Sequence, residues 1–345
     1  PGVGYDLLTF EFIGDVTFNG GLTATNFGIN IIGPGTTFDS DSASCIDFTG
    51  TAIREVKIDL LRVQCSSVNW SIYLETFVGA NINIDYINNL ATGAFTPLGV
   101  IYINNIDTVK YQGVSVYAAV TTNAAMYLSN LGKLYLDIDS LIGVDNNKLL
   151  FAQECTGTIS ISKTKCSQDG FKLWGSNLKI NNTNIEGVTG QGAIIQIEAQ
   201  NVASSKLIFT NCIIEGSTES VEGPTRHLVN IGQTGISTSD YCQVKFENST
   251  IINNNTFAGT GCLGLSGGCT SSNIIVWFQN CHLFSGSTSV MEMWTCSAGV
   301  FEGTNADVYY LGYNTSNVAV LVPGLTNFIG TLNVNAAFVD NITIF

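Results

Sequence analysis

The chain of 345 residues is 45% hydrophobic and only 12% charged, and its formal net charge is -14. Phosphate binding requires clustered cations, and no Lys or Arg follows Lys245, so the composition argues against a nucleic acid partner. No apolar run is long enough for a transmembrane helix, so the sequence predicts no insertion into a membrane.

Residues 1–53 contain no Lys or Arg and consist of short apolar segments separated by glycine. In one of these segments Ile46 and Phe48 flank Asp47, which is the alternation of a half-buried strand. A stack of strands needs a cover on its open end. We therefore predict that residues 1–53 form an N-terminal cap and the first coil of a repetitive structure.

The repetitive part is predicted over residues 54–302. Each copy begins with two apolar residues separated by a single outward residue, and a polar corner follows them. A third apolar residue comes five places after the second apolar residue. Leu178, Ile180 and Ile185 occupy these positions in the stretch SNLKINNTNIEGV. The second apolar position is filled in successive copies by Ile58, Ile84, Ile103, Leu136, Ile161, Ile180, Phe209, Phe246 and Phe278.

These copies are spaced irregularly, by 19 to 37 residues, whereas helical repeats keep a fixed period. No segment shows the sustained apolar stripe of an amphipathic helix. Between the copies lies a second alternating segment, as in GFKLW and AIIQIEA, which adds another strand to each coil. The sequence therefore predicts an all-β solenoid of stacked parallel strands, with about ten coils of irregular length.

Two columns of polar and small residues follow the second apolar position. Asparagine recurs two places after it, at Asn182, Asn211, Asn248 and Asn280. Small residues come one place later, at Thr183, Cys212, Ser249 and Cys281. Because asparagine tolerates a left-handed backbone and bonds its own chain at turns, this pattern predicts a stacked asparagine corner.

The asparagine column and the segment from Cys166 to Gly187, with its Asp-Gly turn, resemble the repeat of right-handed parallel β-helix proteins. That superfamily includes pectate-lyase-like enzymes and viral or phage tailspikes. The resemblance implies a right-handed parallel β-helix with capped ends, but enzymes, adhesins and structural fibres share this fold. The hydrolase motifs of the superfamily (Asn-Thr-Asp, Asp-Asp, Gly-His-Gly and Arg-Ile-Lys) are absent from the sequence.

Residues 303–345 hold only two charged groups, Asp307 and Asp340, among short apolar alternations. Exposed strand edges of this composition would associate. We expect this segment to be a C-terminal cap and an oligomer contact. Tailspike-like β-helices are typically parallel homotrimers, so the resemblance implies a homotrimer.

Ten cysteines are scattered without paired spacing, which argues against a disulfide scaffold. We expect reduced, mostly buried thiols and synthesis in a reducing compartment. Cys262 and Cys269 lack the neighbouring ligands of a zinc site, and His227 and His282 are isolated. The sequence predicts no metal site and no cofactor.

Glu186 and Glu215 form the best candidate for catalysis. Each follows the last apolar position of a copy and precedes a glycine, so the two are expected to stack on adjacent coils. Such a pair suits a retaining glycoside hydrolase, whose carboxyl groups lie about 5 to 5.5 Å apart. Asp169, in a turn one coil below Glu186, is a third candidate. The alternative is that all three are solvated surface charges.

Outward aromatic residues are candidates for carbohydrate binding, because their apolar faces can stack on sugar rings. Tyr102, Tyr135 and Trp277 are predicted to lie in one outward column, and Trp174 is a further candidate. Since Ile208 shares that column, the same surface could instead be buried between protomers.

Taken together, these features favour a viral or phage tailspike-like or fibre-like protein that recognises a cell-surface glycan. It would be made in the host cytoplasm and displayed on the virion surface, or else be extracellular. One alternative is a polysaccharide-degrading enzyme, a hydrolase or lyase, that uses Glu186 and Glu215. Another is a purely structural component of a virion or appendage.

Overall fold

The structure is a computed structural model, and it describes residues 7–18, 20–25, 27–40, 44–52, 54–66, 69–90, 98–119, 123–143, 148–166, 170–187, 193–198, 204–216, 228–231, 241–254, 261–267, 273–286, 291–295, 305–311, 315–316 and 327–328. Strands but no helices occur in these ranges, and the registered strand pairs are parallel. The chain divides into two compact units, residues 1–163 and residues 164–345.

The first unit contains long strands that continue through corners. Its strands are β1 (Leu7–Glu11), β2 (Val16–Phe18), β3 (Leu22–Thr25), β4 (Gly28–Ser40), β5 (Ile46–Thr49), β6 (Glu55–Cys65), β7 (Ile72–Asn89), β8 (Gly99–Ala118) and β9 (Ala124–Gly143). The next strand, β10 (Leu150–Cys166), begins in this unit, and its last three residues belong to the second unit. Successive members pair along one ladder, β1–β4–β6–β7–β8–β9–β10.

Strand pairing divides the surface of this unit into three faces. The first face holds residues 46–49, 72–75, 101–104 and 126–129. The second holds residues 29–33, 56–60, 80–83, 108–112 and 133–137. The third holds residues 37–40, 62–65, 86–89, 115–118 and 140–143. Apolar residues of the second face stack inward in register, namely Ile31, Ile58, Ile82, Tyr111 and Leu136.

The second unit is built from shorter strands. They are β11 (Phe171–Trp174), β12 (Asn177–Asn181), β13 (Asn184–Gly187), β14 (Ile195–Glu198), β15 (Ser205–Thr210), β16 (Ile213–Gly216), β17 (Val229–Ile231), β18 (Tyr241–Glu247), β19 (Thr250–Asn253), β20 (Leu263–Gly267), β21 (Asn273–Gln279), β22 (His282–Ser285), β23 (Met291–Thr295), β24 (Asn305–Leu311), β25 (Thr315–Ser316) and β26 (Asn327–Phe328). Three ladders result: β11–β14–β17–β20–β23, β12–β15–β18–β21–β24–β26 and β13–β16–β19–β22–β25.

The apolar positions of the repeat are buried as predicted. Leu178, Ile180 and Ile185 are at most 1% exposed. Phe209, Phe246 and Phe278 of later copies stack in the core, with ring centroids 5.1 and 5.4 Å apart. Parallel strands lie ~4.8 Å apart, so identical rings in register reach stacking distance. The all-β, parallel solenoid class predicted from the sequence is confirmed.

The asparagine corner is also confirmed. Asn182, Asn211, Asn248 and Asn280 have φ values of 51°, 54°, 47° and 54°, in the left-handed region. The Asn211 amide donates a hydrogen bond to Asn182 Oδ1 (3.2 Å), and the Asn280 amide donates one to Asn248 Oδ1 (3.2 Å). The small residues that follow are buried, and the Cys212 thiol donates to the Ile180 carbonyl at 3.3 Å.

Two details of the repeat differ from the sequence prediction. Over the described residues the solenoid makes about seven turns rather than the expected ten, and its first strand, β1, lies upstream of the first recognised copy. Ile84 and Ile103 also lie outside the column assigned to them, because Ile58 pairs with Ile82, and Ile82 pairs with Tyr111. Alternating segments on neighbouring faces satisfy the same short pattern, so the pattern alone does not fix the register.

Eight of the ten cysteines lie in the described ranges, and all eight are buried thiols that form no disulfide with one another. Burial raises the pKa of the Cys155 and Cys262 thiols to about 12, so these thiols stay protonated at neutral pH. Cys269 and Cys296 lie outside the described residues. Within the described ranges, no helix is long and apolar enough to cross a membrane. The boundaries proposed at residues 53 and 302 stay predictions, and most of 303–345 lies outside the described residues.

Candidate functional site

The first face of the first unit carries a continuous stack of aromatic rings, named here the tyrosine stack: Tyr73, Tyr102, Tyr127 and Phe151. Their centroids lie 4.6, 5.1 and 4.7 Å apart, with interplanar angles of 1°, 14° and 27°. The tyrosines are paired in register on adjacent strands, so the strand spacing itself sets the ring separation.

Tyr102 lies in the middle of this stack, with Tyr73 against one side of its ring and Tyr127 against the other. Trp70, which is 6% exposed, packs at 5.4 Å from the Tyr102 centroid. Both ring faces are therefore occupied by neighbouring protein rings, and a sugar cannot stack on them. The structure places Tyr102 on the first face and Tyr135 on the second, so the two tyrosines do not share a column.

Acidic groups border the tyrosine stack, and sequence reasoning missed them. The Tyr73 hydroxyl donates to Glu75 Oε2 at 2.7 Å, and the Asn104 amide donates to Glu75 Oε1 at 3.0 Å. Burial, and then the hydrogen bond to Glu75, raise the pKa of Tyr73. Burial and the nearby Glu75 charge raise the pKa of Asp47, which pairs with Tyr73. The alternation Tyr73-Leu74-Glu75 could have indicated this arrangement, since it places the side chains of Tyr73 and Glu75 on the outer side of the strand.

Tyr135 lies on the second face and is 49% exposed. Its ring makes no aromatic or cation-π contact with any described residue. It stands in a shallow groove of about 410 Å³, named the Tyr135 groove, lined by Asn81, Lys110, Gln112, Tyr135, Leu136, Asp137, Thr158 and Ser160. Lys110 is its partner on the preceding strand. An open aromatic ring is thus surrounded by polar side chains.

The lining of the Tyr135 groove suits a ligand that both donates and accepts hydrogen bonds. Lys110 can only donate, an ionised Asp137 can only accept, and Gln112, Thr158 and Ser160 can do both. Sugar hydroxyls have this dual capacity, and the apolar face of a sugar ring can rest on Tyr135. Sequence reasoning found Tyr135 but missed the polar lining from Asn81, Lys110 and Gln112, because these residues lie on strands more than 20 residues away in the chain.

Trp277 lines a second groove, which lies in the second unit on the β15–β18–β21 ladder. This Trp277 groove has a volume of about 270 Å³ and is lined by Lys206, Leu207, Ile208, Gln243, Lys245 and Trp277. The predicted outward column is present here, because Ile208 pairs with Lys245 and Lys245 pairs with Trp277. Lys245 also forms an ion pair with Glu247.

Trp174 lies apart from Trp277, on β11 in another ladder of the same unit. The Lys172 ammonium sits 5.8 Å from the centre of its indole, a cation-π distance. Trp174 is half-buried on its strand. The structure therefore does not bring the two tryptophans together in one site.

Glu186 and Glu215 are direct neighbours on β13 and β16, as the column of the repeat predicts. Both are half-buried. The Asn254 amide donates to Glu215 Oε1 at 3.1 Å, which orients that carboxylate. Neither glutamate lines the Tyr135 groove or the Trp277 groove. Asp169, the third catalytic candidate, lies outside the described residues.

A search of the described residues for three or more His, Cys, Asp or Glu side chains able to hold a metal ion finds no such group. Comparison with known proteins gives no match to a family model, a curated protein or a solved structure. Function is therefore inferred from the geometry of the two grooves and of the glutamate pair.

Proposed function

We propose that the protein is a tailspike-like or fibre-like receptor-binding protein that recognises a cell-surface polysaccharide through the Tyr135 groove. A parallel β-solenoid is stiff along its stacking direction, because each turn is hydrogen-bonded to its neighbours through the backbone. Such a scaffold holds surface side chains in a fixed array. An extended polymer can bind along an array of this kind with little reorganisation of the protein.

The observation that carries the proposal is the exposed Tyr135 ring in a groove of mixed donors and acceptors. Scattered single aromatic residues on a surface are common and need no explanation. The polar lining around Tyr135 is what distinguishes it, since ligand sites combine an apolar contact with a few convergent polar groups.

The assembly that we propose is a homotrimer on the virion surface, made in the host cytoplasm, with an extracellular protein as the alternative. The buried thiols of the described residues, which form no disulfide with one another, favour synthesis in a reducing compartment. Analytical ultracentrifugation tests the assembly. A trimer sediments with about three times the 36.8 kDa mass of the chain, whereas a 36.8 kDa species at micromolar concentration contradicts it.

The binding proposal is tested on a polysaccharide array with the wild type, Tyr135→Ala and Tyr117→Ala. Tyr117 is a matched control, because it is an outward tyrosine of β8 on the third face. We expect Tyr135→Ala to weaken binding by about tenfold, the typical effect of losing one good aromatic contact, and Tyr117→Ala to bind normally. Unchanged binding by Tyr135→Ala overturns the proposal. No binding by the wild type favours a purely structural component.

A second candidate function is polysaccharide cleavage, favoured by the registered pair Glu186 and Glu215. Adjacent parallel strands bring the two backbones to ~4.8 Å, close to the carboxyl separation of retaining glycosidases. The test compares polysaccharide chain length after incubation with the wild type and with the double variant Glu186→Gln, Glu215→Gln. Cleavage by the wild type that the double variant has lost supports the pair. Equal cleavage by both proteins excludes it.

A further inference from the structure

Cations are concentrated on one ladder of the second unit. Residues 164–345 contain six Lys and Arg against twelve Asp and Glu. Three of those six cations, Lys179, Lys206 and Lys245, lie on the ladder formed by β12, β15 and β18. This clustering gives a positive patch to a chain whose net charge is -14.

The register brings two of these lysines to one groove. Lys206 on β15 pairs with Gln243 on β18, and Lys245 lies two residues beyond Gln243. Residues two places apart on one strand point to the same side of the sheet. With strands ~4.8 Å apart and ~3.3 Å per residue, the Lys206 and Lys245 backbones are about 8 Å apart. Both side chains line the Trp277 groove.

Glu247 holds Lys245 in place. The Lys245 ammonium contacts Glu247 Oε1, and Thr210 Oγ1 donates to Glu247 Oε2 at 3.2 Å. The hydrogen bond and charge of Lys245, with a contribution from the charge of Lys179, hold the pKa of Glu247 below its usual value. Glu247 balances one of the two lysines that line the groove, so the groove keeps an excess of positive charge.

We infer that the Trp277 groove binds an acidic sugar, with the ring against Trp277 and its carboxylate or sulfate between Lys206 and Lys245. This inference rests on the proposed function, because it takes glycan recognition and adds the charge class of the ligand. The apolar contacts come from Ile208 and the indole, and the oxyanion is recognised by charge-assisted hydrogen bonds.

The net charge of the protein further restricts the class of glycan that can bind in this groove. A chain with a charge of -14 repels a densely charged polyanion at long range, while a cluster of two or three lysines attracts only nearby charge. The ligand that fits is therefore a largely neutral glycan with isolated acidic sugars. Nucleic acids and heparin-like polymers do not fit, because their charges are closely spaced.

The inference is tested by calorimetric titration with three oligosaccharides of equal length: one neutral, one with a single glucuronate and one with a single sulfate. The proteins are the wild type, Lys206→Gln and the control Lys172→Gln. Lys172 is a suitable control, because it also lies beside a tryptophan, Trp174, but on another ladder. Lys206→Gln leaves the Lys245–Glu247 ion pair intact.

We expect Lys206→Gln to weaken binding of at least one acidic oligosaccharide by about tenfold and to leave neutral binding unchanged. The oligosaccharide whose affinity falls, the glucuronate or the sulfate probe, identifies whether the groove binds a carboxylate or a sulfate. Lys172→Gln should behave as the wild type does. Equal affinity of Lys206→Gln and wild type for both acidic probes overturns the inference. Tighter wild-type binding to heparin than to either acidic probe overturns it too.

The same titrations separate this inference from the proposed function. If Lys206→Gln changes nothing while Tyr135→Ala loses polysaccharide binding, the acidic-sugar site fails and the Tyr135 groove stands. If Lys206→Gln loses acidic binding while Tyr135→Ala binds normally, the Tyr135 proposal fails and the Trp277 groove stands.

Discussion

Tyr102 and Tyr135 are outward tyrosines on neighbouring strands of the same unit, yet their surroundings differ. Tyr102 has rings at 4.6 and 5.1 Å on its two sides, whereas Tyr135 is 49% exposed in a polar groove. Strands repeat at ~4.8 Å, close to the stacking distance of aromatic rings. Tyr102, which is repeated in register, therefore stabilises the solenoid, whereas Tyr135 has no ring neighbour among the described residues and is available to a ligand.

The largest expected effect is on stability, at the tyrosine stack. Tyr102→Ala removes two ring contacts and leaves a gap between Tyr73 and Tyr127, which should lower the free energy of unfolding by about 2 to 4 kcal/mol. Tyr135→Ala should change it by less than about 0.5 kcal/mol, as is usual for surface substitutions. Urea unfolding of both variants measures the difference. Equal losses would break the distinction between the two tyrosines.

The asparagine corner allows a second test of stability, in which one asparagine of the repeated column is replaced by alanine or by glycine. Asn211→Ala loses the hydrogen bond to Asn182 and puts alanine at a φ of 54°, which should destabilise the protein by about 1 to 2 kcal/mol. Asn211→Gly keeps the backbone conformation accessible and should lose less. If the alanine variant proves as stable as the wild type, the corner is not a stabilising ladder.

A smaller effect of opposite sign is expected at Thr76. This β-branched residue has a φ of 61°, and its hydroxyl accepts a hydrogen bond from the Asn105 amide at 3.3 Å. Thr76→Asn should relieve strain and keep an acceptor for Asn105, raising the free energy of unfolding by about 0.5 to 1 kcal/mol. Thr76→Val, which keeps the strain and removes the acceptor, should be less stable than the wild type. A destabilised Thr76→Asn variant contradicts this account.

The finest test of the stack concerns pH. Burial and Glu75 raise the pKa of Asp47 in the folded protein above its usual value of 3.8. The folded state therefore binds the Asp47 proton more tightly than the unfolded state does. As a result, the free energy of unfolding of the wild type falls as the pH rises from 3.8 through the raised pKa of the folded state. Asp47→Asn should be more stable than the wild type at neutral pH, and this advantage should vanish below pH 3.8.

Glu75→Gln provides the control for that profile. The Glu75→Gln variant removes the Glu75 charge, which is the second cause of the raised Asp47 pKa. The free energy of unfolding of this variant should therefore fall less with rising pH than that of the wild type does. Urea midpoints measured across this pH range give both curves. An Asp47→Asn curve parallel to the wild type at all pH values would show that Asp47 is not coupled to the stack.

The sequence was sufficient to predict the fold class and the asparagine corner, because both depend on short patterns within one coil. Leu178, Ile180 and Asn182 have their roles within five residues. It was not sufficient at Thr76 and Glu154, which adopt the same left-handed corner with residues that do not signal it. The register of Ile84 and Ile103 was also misassigned, since several faces satisfy the same alternation.

The candidate sites were less predictable, because they depend on which coils become neighbours. Lys110 and Tyr135 are 25 residues apart, and Lys206 and Lys245 are 39 apart, with connections of variable length between them. Each pair lies on two adjacent strands, so placing its members side by side requires the register between those two strands. The adjacency of Glu186 and Glu215 was predictable, since both occupy the same position of two consecutive copies.

The most direct test of the central claim is one polysaccharide titration with the wild type, Tyr135→Ala and Tyr102→Phe. Tyr102→Phe keeps the stacked ring and so keeps the fold. The account predicts about tenfold weaker binding by Tyr135→Ala and wild-type affinity for Tyr102→Phe. Wild-type affinity of Tyr135→Ala would contradict it, and a loss of binding in Tyr102→Phe would then place the ligand at the tyrosine stack.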